Sequence, residues 1–317
     1  MDERRYVERT LSTVLTRAAD QFSSIVLTGP RQSGKTTLVR HVFGQTHAYC
    51  TLDDPLVRDQ AREDPNLLLE RFPPPLILDE IQYAPELLPA LKRRVDGMDD
   101  PGQYLLTGSQ NLAVLRTVAE SMAGRVGILP LQGLTSVEIL GRGEERGWLA
   151  DYPEAPDSLL DLEEDRPGPI SSPAHRLWRG MMPGILDAPD SIVPDYFRSY
   201  LQTYVDRDIR SMEDVRQFAE FGRFLGLAAA LTSQEINTSQ LGREVGVSPS
   251  TARRWLELLS HTYQWRQLAP YHGKTIKRLT GKSKGYLVDT GLASYLQRLS
   301  SPQALAVSPL LGALFES

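Results

Sequence analysis

The chain has 317 residues, a net charge of −5 and a hydrophobic content of 41%. This length exceeds one small domain, and the composition excludes the disordered and fibrous classes. The acidic balance gives no global positive field for nucleic acid, so any such contact needs a local basic patch.

The cysteine content and the N-terminus limit where the protein works. Cys50 is the single cysteine, which excludes an intramolecular disulfide and a cysteine-based zinc cluster. The first residues carry charges where a signal peptide has its apolar stretch, and no later run approaches ~18 uninterrupted apolar residues. We therefore predict a cytoplasmic protein without a membrane partner.

Short apolar strands alternate with helices over the first part of the chain. Arg4–Gln21 has helical spacing of its apolar residues. The runs that follow predict strands at Ser24–Thr28, Ala48–Leu52, Leu76–Leu78 and Tyr104–Gly108. This alternation predicts an α/β fold with a largely parallel sheet flanked by helices.

The turn after the first strand predicts a phosphate-binding loop. It matches the pattern G-x-x-x-x-G-K-T/S, and its residues, with the one that follows, are Gly29, Pro30, Arg31, Gln32, Ser33, Gly34, Lys35, Thr36 and Thr37. Backbone N–H groups at a helix N-terminus form an anion cradle. Lys35 would neutralise the β and γ oxygens, and the Thr36 hydroxyl would ligate Mg²⁺. ATP or ADP and Mg²⁺ are the predicted ligands; a glycine-rich turn that only joins strand to helix is the alternative.

Two acidic residues end the strand Leu76–Leu78. Asp79 is placed to hold Mg²⁺ beside the loop. Glu80 follows it and is the candidate general base that polarises water for attack on the γ-phosphate. A strand capped by two solvated acids is the competing interpretation.

Polar residues after the next strand are weaker candidates. Ser109, Gln110 and Asn111 could sense the γ-phosphate or orient water, with Asn111 taken as catalytic, or they could form a local turn. Arg125 is the candidate arginine finger, acting in cis or in trans, and a surface arginine is the alternative.

The later chain predicts a helix-turn-helix in a winged-helix module. Ser248 and Pro249 read as the N-cap and first residue of the second helix. Arg253, Arg254 and a basic wing at 274–284 would let it contact DNA. The alternative is a scaffold that packs on the nucleotide domain or a neighbouring subunit, with Trp255, Leu256, Leu258 and Leu259 as ordinary core.

Composition and spacing divide the chain into five segments. An ATPase core over 1–140 precedes an acidic, Pro/Gly-rich insertion or linker over 141–175. A helical lid or bundle over 176–232, a winged helix over 233–300 and an incomplete C-terminal region over 301–317 follow.

Several motifs resemble those of AAA-superfamily ATPases. The core motifs are Gly29–Thr37, Leu76–Glu80, Tyr104–Asn111 and Ala123–Val126. The downstream motifs resemble a prokaryotic subgroup with an AAA_14-like core and a C-terminal domain of unknown function numbered 4143; they are Leu129–Leu131, Arg179–Gly184, Thr203–Asp208 and Asp289–Leu292. The resemblance implies an AAA-type core, a winged helix and, commonly, a nuclease-like domain. Met181 and Met182 depart from the family pattern, where glycine and an aromatic residue are usual.

The last residues resemble the start of that nuclease-like domain. Glu316 matches its first acidic position, but no later Asp and Glu-x-Lys follow. We therefore expect no nuclease activity from this polypeptide.

The function predicted from the sequence is Mg²⁺-dependent ATP binding and hydrolysis that drives a conformational change of the winged helix, with a homo-oligomer as a candidate assembly. The alternative is an ATP-gated DNA-binding or regulatory module with negligible turnover. A scaffold with vestigial nucleotide binding is disfavoured because every phosphate-site residue is present.

Overall fold

The computed structural model describes residues 6–98, 100–109, 124–143, 172–209, 217–271 and 281–317. The N-terminal part of these residues is a layered α/β unit. Its strands are β1 (Ser24–Thr28), β2 (Ala48–Thr51), β3 (Leu76–Asp79), β4 (Tyr104–Gly108) and β5 (Val126–Pro130). Its helices are α1 (Leu11–Ala19), α2 (Lys35–Phe43), α3 (Pro55–Glu63), α4 (Pro65–Arg71), α5 (Leu87–Asp96) and α6 (Ser136–Ile139).

The five strands form one sheet in the order β2-β3-β4-β1-β5, and each neighbouring pair is parallel. Ser24 at the start of β1 is in register with Tyr104 of β4 and Val126 of β5. The carboxyl ends of all five strands therefore meet at one edge. This arrangement confirms the predicted α/β fold class and brings the segments after β1, β3 and β4 together.

Both faces of the sheet are covered, which explains why the strands read as continuous apolar runs. Ile25 and Leu27 of β1 belong to a core shared with residues of α1 and α2. Val26, between them, faces the core that includes residues of α4 and α5. Every residue of β1, β3 and β4 is buried.

The first helix is shorter than the sequence predicts. The helical spacing suggested Arg4–Gln21, whereas α1 covers Leu11–Ala19. Residues 6–9 have no regular secondary structure, and Arg9 within them is buried against other loops. Its hydrogen bonds to backbone carbonyls outside α1 account for the later start.

The C-terminal part is mostly helical and contains a small antiparallel sheet in the order β6-β8-β7. Its helices are α7 (Pro173–Arg179), α8 (Val193–Thr203), α9 (Phe218–Ala230), α10 (Thr238–Val245), α11 (Pro249–His261), α12 (Thr290–Leu296), α13 (Pro302–Ala306) and α14 (Leu311–Glu316). Its strands are β6 (Gln234–Glu235), β7 (Trp265–Leu268) and β8 (Lys284–Leu287). One apolar core runs from Trp178 to Leu314 and so joins residues of all three segments predicted after residue 175.

The helix pair α10 and α11 has the caps that the sequence predicts. The Ser248 hydroxyl accepts a hydrogen bond from Thr251 N at 3.1 Å, and Pro249 is the first residue of α11. Gly246 ends α10 with a φ of 85°, a conformation that glycine adopts without steric cost. Trp255 and Leu259 lie in the core, as expected for the buried face of α11.

Candidate functional site

The loop between β1 and α2 has the backbone of an anion cradle. Gly29 has a φ of 144°, and a Cβ there would lie 2.0 Å from the carbonyl oxygen of Leu131. Gly34 has a φ of 93° at the N-terminus of α2. No side chain among the described residues caps this helix, so its dipole and its first N–H groups remain for a ligand.

Two side chains of this loop are suited to phosphate. Lys35 is buried, and its Nζ lies 2.7 Å from the Pro30 carbonyl oxygen and 3.1 Å from that of Gly29. Its positive charge therefore sits over the loop. Ser33 is fully buried, and its Oγ has no hydrogen-bond partner within the described residues. A buried hydroxyl without a partner is costly, and a phosphate oxygen would satisfy it.

The other predicted binding residues surround the loop more loosely. Arg31 donates to the Tyr83 hydroxyl at 3.4 Å, while Gln32 and Thr37 are exposed.

Asp79 accepts hydrogen bonds from three hydroxyl groups, one on the helix α2 and two on the strands β2 and β4. Thr36 Oγ1 donates to Asp79 Oδ1 at 2.8 Å, and the Tyr49 hydroxyl donates to Oδ2 at 2.7 Å. Thr107 Oγ1 also donates to Oδ1. Burial, together with the hydrogen bond and the negative charge of Asp79, raises the pKa of Tyr49, which keeps that phenol a donor.

The pair Thr36 and Asp79 has the chemistry of a Mg²⁺ site. A hydroxyl and a carboxylate supply the oxygen ligands that this hard cation prefers. Their contact places both oxygens at the first turn of α2, beside the phosphate loop. The residues present therefore fit Mg²⁺.

Glu80 is held in a conformation that non-glycine residues seldom adopt. Its φ is 59° and its ψ is 47°, and its N–H donates to Thr107 Oγ1 at 3.2 Å. The Gln82 amide donates to Glu80 Oε2 and, at 3.2 Å, to Ser109 Oγ. Unusual backbone conformations fixed by surrounding bonds are frequent at active sites, and this one turns a half-buried carboxylate out of the strand.

The segment after β4 is described only at its beginning. Ser109 is buried at the carboxyl end of β4, on the loop edge of the sheet. Gln110 and Asn111 lie outside the described residues, so the predicted role of Asn111 stays a prediction.

Arg125 lies at the other edge of the sheet. It directly precedes β5, its carbonyl accepts a hydrogen bond from Ser24 N at the start of β1, and its guanidinium pairs with Asp96. The phosphate loop follows Thr28, at the other end of β1. Thr28 is four residues beyond Ser24, a distance of roughly 13 Å along the strand. The structure does not bring Arg125 to the phosphate loop of its own chain, so a role in trans and a surface arginine without a catalytic part are the interpretations that remain.

Sequence reasoning missed several residues of the site. Tyr49 and Thr107 reach Asp79 because β2 and β4 flank β3, and this order is not readable from spacing. Arg9 donates to the carbonyl oxygen of Ser33 in the loop at 2.8 Å, and its Nε lies 3.1 Å from Glu138 Oε1. Arg9 and Glu138 are 5% and 3% exposed. A charged residue before the first helix gave no signal of this contact.

The C-terminal motifs form a tight backbone junction. Asp289 accepts hydrogen bonds from Met181 N at 2.9 Å and from Leu292 N at 2.8 Å. Gly180 has a φ of 77°, and a Cβ there would lie 2.4 Å from Asp289 Oδ1. These motifs therefore join α7 to the start of α12.

A glycine-framed loop, a lysine over it and a threonine–aspartate pair, all at the carboxyl edge of a parallel sheet, define the fold of this part of the chain as a P-loop NTPase core of AAA type, and a C-terminal domain follows it. The family model described as "AAA domain" matches residues 21–140, and the model described as "Domain of unknown function (DUF8612)" matches residues 172–303. This number differs from 4143, the number suggested by the motif resemblance.

Two relatives and one solved structure are similar to most of this chain. The uncharacterized proteins Mb2031c of Mycobacterium bovis and Rv2008c of Mycobacterium tuberculosis are each 32% identical to this chain over 311 residues. The match covers 97% of this chain, and the chain spans 64% of the length of these relatives. The solved structure of the Walker-type ATPase PABY2304 of Pyrococcus abyssi superposes with a TM-score of 0.55 and a sequence identity of 15%. The match covers 90% of this chain and 94% of the Pyrococcus chain. This last likeness supports the fold.

Membrane insertion has no support in the described part of the chain. No helix there has both the length and the apolar character needed to cross a bilayer.

Proposed function

We propose that this chain binds Mg·ATP at Gly29–Thr36 and hydrolyses it. The observation that carries the proposal is the contact of Thr36 Oγ1 with Asp79 Oδ1 at 2.8 Å beside an uncapped helix N-terminus. It puts a cation site and an anion cradle next to each other. A nucleoside triphosphate bound with a divalent cation requires both.

Each residue has a separate part in the proposed reaction. Backbone N–H groups of the loop and Lys35 bind the phosphate oxygens and stabilise the charge that develops on them. Thr36 and Asp79 hold Mg²⁺, which, when bound, neutralises negative charge on the phosphates. Glu80 accepts a proton from the attacking water, and Gln82 with the Thr107 hydroxyl fixes the orientation of this carboxylate.

The test of binding is the Lys35→Ala variant. We expect ATP affinity to fall at least about tenfold in isothermal titration calorimetry, because a charge-assisted hydrogen bond contributes ~1.5–3 kcal/mol. Lys92→Ala, on the helix α5, is the matched control and should bind like the parent. Equal ATP affinity and turnover in the parent and Lys35→Ala would overturn the proposal.

We further propose that the elements from β6 to β8 form a winged helix whose position responds to the nucleotide. The order strand, helix, helix and two-stranded hairpin supports this assignment. The five segments predicted from the sequence remain a proposal. The apolar core shared by the residues after 175 favours treating the last three segments, 176–232, 233–300 and 301–317, as one packed unit.

DNA binding by this module, gated by ATP without turnover, is the second candidate function. The exposed positions of Arg253 and Arg254 on α11 support it. Of the basic wing, residues 274–280 lie outside the described part; Lys282 Nζ lies 3.5 Å from Glu235 Oε2 and Lys284 Nζ lies 2.7 Å from Glu316 Oε1. These acidic neighbours offset part of the positive charge.

DNA binding is tested by fluorescence anisotropy with a labelled duplex at several salt concentrations, with and without ATP. If α11 contacts phosphates, Arg253→Ala should weaken binding and lower the salt dependence by about one unit of slope. Arg298→Ala, outside α10, α11 and the hairpin, is the control. Absence of binding at low salt would leave the scaffold alternative.

Assembly and compartment remain proposals. A homo-oligomer would allow Arg125 to approach the loop of a neighbouring chain, and its half-exposed guanidinium supports this arrangement. We also propose a cytoplasmic location, which agrees with the buried, unpaired thiol of Cys50, whose pKa burial raises to about 11.

A further inference from the structure

A chain of hydrogen bonds runs from the phosphate loop to the C-terminal domain, and Arg9 is its first link. The guanidinium donates through NH1 to the Ser33 carbonyl in the loop at 2.8 Å. Through NH2 it donates to the carbonyl oxygens of Gln132 at 2.8 Å and Gly133 at 3.2 Å. One buried side chain therefore ties the loop to the segment that follows β5.

Glu138 fixes the guanidinium from the other side. Its Oε1 lies 3.1 Å from Arg9 Nε and accepts from Thr10 N at 2.8 Å, while Oε2 accepts from Thr135 N at 2.8 Å. A buried ion pair of this kind is expensive to desolvate and gives little net stability. The orientation of the pair, however, is determined by hydrogen bonds to five neighbouring residues. Ser33, Gln132 and Gly133 bind Arg9, and Thr10 and Thr135 bind Glu138. Arg9 therefore cannot move without moving the loop or residues 132–138.

The next links lead into the C-terminal domain. Leu134 N donates to the Met181 carbonyl at 2.7 Å, and Met181 N donates to Asp289 Oδ2 at 2.9 Å. Asp289 Oδ1 caps α12 through Leu292 N. The junction is close, because a Cβ on Gly133 would lie 2.8 Å from the Met181 carbonyl oxygen. A shift of residues 132–134 would thus be transferred to Met181 and to the start of α12.

A cavity of about 400 Å³ also lies between the loop and the C-terminal domain, lined in part by Pro30, Thr135, Met182 and Thr290. A second contact joins the Tyr263 hydroxyl to Thr28, and burial raises the pKa of this tyrosine. Thr28 belongs to the rigid strand β1, whereas Ser33 belongs to the loop that binds the ligand. The Arg9 route therefore starts at the part of the core that responds to phosphate.

We propose that Arg9 is a positioning residue that couples occupancy of the phosphate loop to the Met181–Asp289 junction of the C-terminal domain. The inference rests on the proposed nucleotide binding. Phosphate bound at the loop fixes the Ser33 peptide, and Arg9 passes this constraint to residues 132–134. Contiguous bonds alone do not establish coupling, so the readout must lie at the far end of the chain of bonds.

The experiment is hydrogen exchange with mass spectrometry on the full chain, with and without saturating ATP. In the parent we expect ATP to slow exchange at the amides of Leu134, Met181 and Leu292. The variant is Arg9→Lys, which retains a positive charge but lacks the planar fork that binds several carbonyls at once. We expect its ATP dissociation constant to stay within about fivefold of the parent. The slowing at Met181 and Leu292 should be lost, while slowing in the loop itself persists.

Two control variants and one further test variant separate this role from simple support of the fold. Arg17→Lys, an exposed arginine on α1, should behave like the parent. Tyr263→Phe removes the other contact and should keep the response at Met181. Glu138→Gln keeps the side-chain shape but removes the charge that orients Arg9, and it should weaken the response even if Arg9→Lys does not fold. Each variant is compared at nucleotide concentrations well above its own dissociation constant, so that weaker binding does not imitate lost coupling.

Loss of the response in Tyr263→Phe but not in Arg9→Lys or Glu138→Gln would overturn the inference. An unchanged response in Arg9→Lys, Glu138→Gln and Tyr263→Phe would also overturn it. So would a parent that binds ATP without any change in the exchange rate of the Met181 amide. Failure of the parent to bind ATP at all would contradict the proposed function instead.

Discussion

Asp79 and Asp289 are both 5% exposed, and both lie at or just after the end of a strand, yet their surroundings differ. Asp79 accepts from hydroxyls, which can rotate toward another partner such as a cation. Asp289 accepts from backbone amides, which are fixed by the fold. The type of donor, more than burial or motif quality, distinguishes the exchangeable carboxylate of a binding site from the locked carboxylate of a structural junction.

The largest effect should come from Asp79→Asn, since it removes the charge that would hold Mg²⁺ in the proposed site. We expect Mg²⁺-dependent ATP turnover to fall about 100-fold, equivalent to ~2.7 kcal/mol in the transition state. The free energy of unfolding should change by less than about 1 kcal/mol, because the amide oxygen still accepts from Thr36 and Thr107 and the Tyr49 hydroxyl can rotate to accept from the amide NH₂ group. Turnover assays and urea unfolding measure the two quantities, with the exposed Asp59→Asn as the control. A variant that turns over normally would place the cation elsewhere.

The same substitution at Asp289 should give the opposite pattern. An asparagine NH₂ group would face one of the two amide donors, so we expect about 1–3 kcal/mol loss of stability in urea unfolding. ATP affinity should remain within about threefold of the parent, since the residue has no part in phosphate binding. Strong loss of ATP binding in a folded Asp289→Asn variant would erase the proposed distinction between the two aspartates.

Gly180→Ala sharpens the comparison by testing how tight the Asp289 junction is. Gly180 has a φ of 77° and a Cβ there would be 2.4 Å from Asp289 Oδ1, while Gly141 has a φ of 76° and open space around it. We expect Gly141→Ala to cost ~1 kcal/mol from backbone conformation alone. Gly180→Ala should cost at least ~1 kcal/mol more in thermal or urea unfolding. Equal losses would mean that the junction is loose.

The smallest effect is expected from Glu316→Gln, at the exposed end of α14. Hydrogen bonds from Lys284, Ser233 and Tyr286 lower the pKa of Glu316 to about 2. A depressed carboxylate pKa stabilises the fold above the unfolded pKa of 4.5 and loses this contribution as the pH falls toward 2.

Parent and variant should therefore differ slightly in melting temperature at pH 6, and this difference should shrink below pH 4.5 and disappear only as the pH falls to about 2. Burial raises the pKa of Asp289, so that group acts in the opposite direction, and only the difference between parent and variant isolates Glu316. A difference that grows toward low pH would contradict this assignment.

The sequence was sufficient for the residues whose role depends on local spacing. Gly29, Lys35 and Thr36 belong to one turn, and Asp79 and Glu80 end one strand, so a linear pattern contains their geometry. Tyr49 and Thr107 could not be found in this way, because their contact with Asp79 depends on the order of three strands.

Arg125 shows what a motif alone leaves open. A residue that precedes a parallel strand lies at the edge opposite to the phosphate loop, and this could have been inferred from its position before Val126. Arg9 had no comparable signal, because a buried ion pair between residues 9 and 138 has no periodic signature.

The most direct test of ATP hydrolysis by this site compares steady-state turnover of the parent and Glu80→Gln in the presence of Mg²⁺, with Glu86→Gln as a nearby exposed control. We predict measurable turnover in the parent and in Glu86→Gln, and at least a 100-fold loss in Glu80→Gln, the usual scale of general-base catalysis, with ATP affinity within about threefold. Turnover in the parent no higher than in Lys35→Ala, despite tight ATP binding, would contradict the account and favour a nucleotide-gated switch.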